Sequence, residues 1–334
     1  MKSLMIARRE FLYLSVLGAC VGLSGCQINL NRPTLGAYEG VLPLEMIKAL
    51  PEPWRFEVLQ KNKKDITYGL AALRDLALLA IGDGWLQNID IDNYMPILED
   101  RYPINNHANM FLSGFDEKTA LKLFPIGFSP WAMLFRRGEP WINKAKKSWQ
   151  VILEPGLKGQ LILPNSPRII MEIANRIGDG GIDILRKLRI HAKTFDDRNA
   201  LNWVVSGKAK VAIMPLQNCM SSLYKDPRLT IAIPSEGTPL NWTILLKKNN
   251  FQEPFPISWI QESCQMPLLS KITNTGWIPP LSYSELFDRT HSAQNRNKKS
   301  LPFSEKAYNN FWSLTPLDDL SLKNLEERWR MSTP

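Results

Sequence analysis

The chain is poor in the residues that carry covalent chemistry. Its 334 residues include only four cysteines and three histidines, and His107, His191 and His291 stand too far apart for ligand spacing. There is no G-x-S-x-G, H-E-x-x-H or C-x-x-C pattern and no phosphate-binding loop. Nucleophile elbows, helical zinc sites and dithiol centres therefore have no local signature. The adjacent acids Asp196-Asp197 and Asp318-Asp319 point different ways and suit caps or solvated turns better than an acid/base couple. No Lys/Arg block reaches the length of a nucleic-acid patch, and no internal repeat is present. The expectation is a protein that is not an enzyme, takes no cofactor or metal and does not bind nucleic acid.

What is present begins at the N-terminus. Arg8 and Arg9 precede a thirteen-residue apolar run from Phe11 to Leu23, too short to span a bilayer and right for a signal peptide. Leu23-Ser24-Gly25-Cys26 resembles a lipobox, whose cysteine is acylated and becomes the new N-terminus. Ala7-Arg8-Arg9-Glu10-Phe11-Leu12 resembles a twin-arginine export motif, and an ordinary secretory signal with two incidental arginines is the other reading. Either route leaves the mature chain outside a bacterial cytoplasmic membrane, in the periplasm or at the cell surface, tethered through lipid on Cys26.

Removal of residues 1–25 leaves 309 residues, enough for two domains, with 38 basic and 31 acidic side chains. That net charge of +7 reads as a general surface property. Cys219 and Cys264 are the cysteines left over. An oxidising compartment would allow them to pair, but nothing in the sequence brings them together.

The middle of the chain organises the rest. Leu161 to Leu163 is a short apolar strand, followed by Pro164-Asn165-Ser166-Pro167 and a helix with Ile169, Ile170, Ile173 and Ile177 on one face. Ser166 suits the N-cap, and Pro167 suits the first helical position, where no amide is needed. Such a helix start at a strand's carboxyl end is where open α/β sheets usually take ligands. A second strand-to-loop junction lies at Leu76 to Ile81, ending in Gly82-Asp83-Gly84-Trp85. Asp83 and Trp85 either supply charge and a π face to a cation, or Asp83 simply caps the next helix. Further strands are expected at Trp54–Val58, Phe124–Phe128, Val211–Met214, Leu229–Ile233 and Leu240–Leu246, and helices at Leu44–Leu50, Tyr68–Leu73, Asp183–Arg189, Ile257–Leu269 and Leu317–Trp329.

The segment KGQLILPNSPRIIMEIA resembles the one that opens the second lobe of the periplasmic solute-binding proteins of spermidine/putrescine-type ABC importers. Pro234-Ser235-Glu236-Gly237 resembles a P-x-E-G turn of that family, and Gly276-Trp277-Ile278-Pro279-Pro280 its G-aromatic-x-x-P turn. The likeness spans roughly residues 42 to 290. It implies an α/β, two-lobe, type II periplasmic-binding fold, each lobe a mixed sheet flanked by helices and joined by hinge crossings. The expected division is a tether at 26–41, one lobe from 42–128 and 240–285, a polar linker at 286–299, and a second lobe from 129–239 and 300–334. The chain would act as a monomer that hands a small ligand, a polyamine or other organic cation, to an ABC permease. An exported scaffold that keeps the fold without transport is the alternative.

By the same resemblance, the ligand site comprises Asp83, Gly84, Trp85, Ser166, Asp197, Val205, Trp242 and Trp277. Asp197 is either a helix cap or a cleft residue. Val205 stands where the family often has an aromatic residue, and Trp242 keeps the tryptophan of a Trp-x-Asp pair whose acid is here Ile244. Ser166 and Ile169 replace two further family acids, and a buried ammonium without a carboxylate partner is costly. Labelling with a tagged fatty acid in a bacterial host tests the N-terminal reading: incorporation is expected in the native chain and none in Cys26→Ala.

Overall fold

The computed structural model describes residues 32–59, 76–98, 105–178, 180–249, 251, 253–291, 301–314 and 316–334. Arg8, Arg9, Cys26 and the expected helix Tyr68–Leu73 lie outside them.

One strand organises the sheets. β5 (Phe124–Arg136) runs thirteen residues and is buried at every position but its last. Its first half pairs antiparallel with the strand Leu240–Lys248, Trp242 opposite Phe128 and Leu245 opposite Phe124. Its second half pairs antiparallel with the strands Val211–Pro215 and Leu229–Ala232. Numbered in chain order, the first sheet runs β2 (Arg55–Leu59), β1 (Thr34–Tyr38), β3 (Leu78–Gly82), β10 (Leu240–Lys248), β5, with the short β4 (Tyr94–Met95) on β10. The second runs β5, β8 (Val211–Pro215), β6 (Leu161–Leu163), β7 (Ala192–Phe195), with β9 (Leu229–Ala232) on the other side of β5. β1, β2 and β3 are mutually parallel, as are β6, β7 and β8. Strands covered on both faces must be apolar at every position, which is why Leu78–Ile81 and Val211–Met214 read as unbroken apolar runs.

The helices follow from their caps. Ser166 Oγ accepts the Ile169 amide at 3.5 Å and Pro167 occupies the first position of α1 (Pro167–Ile177). Ile169, Ile170, Ile173 and Ala174 then bury against the second sheet together with Leu185 and Leu188 of α2 (Ile182–His191). α3 (Ala200–Val205) covers the opposite face, where Val204 joins a cluster that includes Ile162 and Ala212. α4 (Glu305–Asn309) carries Tyr308 against His107, with Phe303 and Phe311 on either side. α5 (Asp319–Met331) lies on α1 and α2, where Arg189 sits 4.4 Å from the Trp329 ring.

Three segments meet between the sheets. The Trp131 amide donates to Pro239 O at 3.1 Å, Thr238 Oγ1 donates to Trp131 O at 2.6 Å, and Trp312 and the segment Thr238–Leu240 exchange bonds of 3.1 and 2.9 Å. The turn Pro234–Gly237 is fixed beside them, since Glu236 accepts the Trp149 amide and Gly237 O accepts Trp149 Nε1 at 3.0 Å.

Several expectations change. Residues 34–38 of the expected tether are β1, the strand between β2 and β3, because Leu35 and Ala37 are fully buried there. The expected helix Ile257–Leu269 divides into Ile257–Ser263 and Leu268–Thr273 around Pro267, which has no amide to continue a helix. The start of the expected linker is the end of a helix, Tyr283–His291. Of the segment expected in the second lobe, Phe303 to Phe311 packs on Phe128 of the first sheet, and the chain joins the second sheet's side only after Trp312.

Gly127 shows how closely these layers meet: a Cβ there would lie 2.2 Å from the Trp277 ring. Gly127→Ala is expected to lower unfolding stability by about 1–3 kcal/mol through overpacking, measured by urea denaturation.

Candidate functional site

The parallel strands β6, β7 and β8 end toward β3, and the loops that follow enclose a cavity. Asp83, Gly84 and Trp85, in the short 3-10 helix Asp83–Asn88 after β3, line one wall. Ser166 and Arg168 at the start of α1, Asp197 after β7 and Asn218 after β8 line the other. The cavity measures about 490 Å³ and adjoins a second of about 280 Å³, with Asp83 and Arg168 in the walls of both. These volumes suit a small organic molecule.

Asp83 is the chemical centre. It is 8% exposed. Oδ1 accepts the Gly84 amide at 3.1 Å, while Oδ2 is buried and accepts no hydrogen bond from the described residues. Loss of water raises its pKa from 3.8 to about 6, against the opposing pull of Arg168 and of the Trp242 and Gly84 amides. The cavity thus holds a carboxyl poised to change charge near neutrality and able to accept one more donor. Trp85 is half-buried and stacked on Tyr38 with ring centroids 4.9 Å apart, which fixes its indole at the rim. Asp197 Oδ1 accepts the Asn165 amide at 2.9 Å, tying β7's loop to the loop before α1. It does not cap α3; the neighbouring Asp196 accepts the Arg198 and Asn199 amides instead.

Five of the eight expected ligand residues therefore share one cavity. The other three stand elsewhere. Trp242 is fully buried against Phe111 and Phe128, with Nε1 donating to Ser313 Oγ at 2.8 Å. Trp277 is fully buried, with Nε1 donating to Thr243 Oγ1 at 3.0 Å. Val205 packs on the core at the end of α3 and lines neither cavity. In each case the sequence marks an aromatic or apolar residue at a strand or helix end and gives no sign of which face it takes. Cys219 and Cys264 are buried, unpaired thiols, and burial raises their pKa to about 12 and about 11.

Two groups of cavity residues escape a reading by motif. Arg168 follows the cap and looks like any early helical arginine, yet it faces Asp83 across the space. Glu172, one turn further on and outside the lining of both cavities, is held above the usual carboxylate range by burial, opposed by Arg168, Arg176 and Arg328. The second group is the C-terminal segment: Leu314 and Leu317 line both cavities, and Leu322, Leu325 and Glu326 of α5 line the larger. Its apolar spacing announces a helix, but its place over the cleft depends on the crossing at Trp312.

No family model and no curated protein matches the sequence. Solved structures do match in shape. The spermidine/putrescine substrate-binding protein PotD of Streptococcus pneumoniae aligns with a TM-score of 0.63 at 10% identity, covering 90% of this chain and 98% of its own. A ferric binding protein from Campylobacter jejuni gives 0.58 at 12%, covering 90% and 98%. The Tp0655 (TpPotD) lipoprotein of Treponema pallidum gives 0.54 at 10%, covering 90% and 99%. The fold is that of the type II periplasmic binding proteins. In that fold's terms β5 and β10 join the lobes, and the cavity around Asp83 is the interlobe cleft.

Because the rings of Trp242 and Trp277 belong to the lobe core, Trp242→Ala and Trp277→Ala are each expected to cost about 3–5 kcal/mol of stability. Trp85→Ala at the cleft rim is expected to cost about 1 kcal/mol or less. Denaturant unfolding of the three variants measures the difference.

Proposed function

We propose that this chain is the solute-binding component of an ABC importer, exported, held at the membrane through lipid on Cys26, and capturing a small organic cation in the cleft between its lobes. The observation that carries this reading is the buried carboxyl of Asp83, with Oδ2 unpartnered inside a cavity walled by both lobes. A buried polar atom without a partner costs stability in the free protein. A ligand N–H donor would satisfy it, and a ligand touching both walls would favour the closed arrangement.

The walls narrow the ligand class. Asp83 is the buried acid of the cleft, Asp197 is exposed and already bonded to the Asn165 amide, and Arg168 adds positive charge. Leu314, Leu317, Leu322 and Leu325 supply an apolar surface, and Trp85 a ring at the rim. A polyamine with several ammonium groups would find one buried carboxylate, Asp83, with Asp116, Asp197 and Glu326 exposed to water at the walls, and would meet Arg168. An organic cation with one ammonium group and an apolar body fits better.

Thermal unfolding with monoamines, polyamines, thiamine-like cations, amino acids and small anions tests the proposal, because a ligand at about 100 times its Kd adds about 2.7 kcal/mol of stability. Stabilisation by a monocation with an apolar body is expected; no shift with any of them at millimolar concentration, or shifts with anions alone, would count against it.

The pH dependence has a definite sign. A cation binds the ionised carboxyl, so affinity should hold above pH 7 and fall as Asp83 takes up its proton through about pH 6, weakening about tenfold by pH 5. Stability of the free protein runs the other way. A carboxyl whose folded pKa is raised binds its proton more tightly when folded, so ionised Asp83 destabilises the fold as pH rises from about 4 to about 6. Asp83→Asn should therefore gain about 1–3 kcal/mol at pH 7 while losing cation binding.

A further inference from the structure

The ends of the second lobe's strands differ in chemistry. The carboxyl ends of β6, β7 and β8 meet the cleft, whereas their amino ends form the pole facing away from it. Residues 131–239 contain 17 Lys and Arg against nine Asp and Glu, and residues 313–334, which lie on the same lobe, three against four, so this lobe carries a net +7, equal to that of residues 26–334. The charge is therefore a property of one lobe, not of the surface in general.

Strand register places much of it at the far pole. Val211 pairs with both Phe135 and Leu161, and Leu161 with Ala192. Arg136, Lys210 and Lys193 each stand next to one of these paired residues, and Lys158 and Lys208 lie in the turns that lead into β6 and β8. The Lys210 amide donates to Gln160 O at 3.0 Å, and the Arg136 guanidinium lies over Gly207. Nearby acids are engaged locally: Asp226 pairs with Arg228 at 2.8 Å and Glu154 with Lys144 at 2.7 Å.

Two half-buried indoles sit beside these cations, that of Trp203 with its Nε1 donating to Asp196 Oδ2 at 3.1 Å. Lys193 Nζ and Lys208 Nζ lie 5.9 and 6.0 Å from the Trp203 ring, and Lys210 Nζ lies 4.7 Å from the Trp141 ring. Lysine is depleted in protein–protein interfaces, so a lysine-rich face with few exposed apolar side chains is a poor protein dock. Lysines interleaved with tryptophan match the headgroup layer of an anionic bilayer, where cations meet lipid phosphates and indoles settle at the interface.

We infer that the cleft-distal pole of the second lobe, built around Lys193, Lys208 and Lys210, is a docking face for an anionic phospholipid surface. The inference is independent of the cleft's ligand.

Co-sedimentation with vesicles tests it, using residues 33–334, a unit that contains all the described strands, helices and cores and carries no acyl chain. Binding is expected to vesicles containing about a third phosphatidylglycerol and not to phosphatidylcholine alone, and to weaken steeply toward about 0.5 M salt. The variant K193E/K208E/K210E should bind at least tenfold more weakly, and K193Q/K208Q/K210Q should fall between it and the native chain. K48E/R55E/K271E, with the same change of net charge on the first lobe, should bind as the native chain does. Equal binding to both vesicle types, no binding to either, or equal losses in the two charge-reversal variants would each overturn the proposal. Matched circular dichroism melts confirm that every variant is folded.

Discussion

A strand buried along twelve of its thirteen residues must be accommodated by whatever lies on both sides of it, and β5 imposes that condition on the whole chain. Its first half needs β10 and its second half needs β8 and β9, so neither sheet completes itself without the other's connecting strand. The second sheet is consequently an insertion between β5 and β10, and the return path through Thr238–Leu240 must run beside Trp131. Everything at the cleft inherits its position from this arrangement. Asp83 faces Arg168 because β3 lies on β10 in one sheet while β6 lies on β8 in the other.

The cleft carries a cost that the cores do not. Rings such as Trp149, Trp259 and Trp277 combine near-complete burial with a satisfied indole N–H, the pattern of stabilising aromatic residues. Asp83 is buried with Oδ2 unsatisfied by the described residues, and loss of water raises its pKa to about 6. Binding sites commonly give up stability for readiness to react or bind. The charge at the opposite end of the second lobe imposes no such penalty, because Lys193 and Lys208 are exposed to water and their ammonium groups lie about 6 Å from the Trp203 ring.

Much of the fold is legible in the sequence because its signals are local. Leu161 to Ile177 announces a strand, a Ser cap and a Pro start, and the structure has each of them. Thr34–Tyr38 is harder: five residues with a central glycine among Pro, Thr and Asn look like a tether, and only pairing with β2 and β3 reveals a strand. At the cleft, Asp83, Trp85, Ser166 and Asp197 follow strand ends and can be read there. Arg168 and Leu325 cannot, since nothing local distinguishes a cleft residue from an ordinary helical one. Trp242 fails for the opposite reason. The motif's tryptophan is kept although its acid is Ile244, but Phe111 and Phe128 pack on the fully buried ring and leave no face for a ligand.

The route of the last segment has a consequence for biogenesis. The residues from Leu314 to Glu326 that form part of the cleft wall follow every other cleft residue in the order of synthesis. Both sheets and the carboxyl of Asp83 can be in place while that wall is still missing. Without that segment the cleft is a groove open on one side and not a pocket. The pocket is closed only when the segment after Trp312 has come to rest on the second lobe.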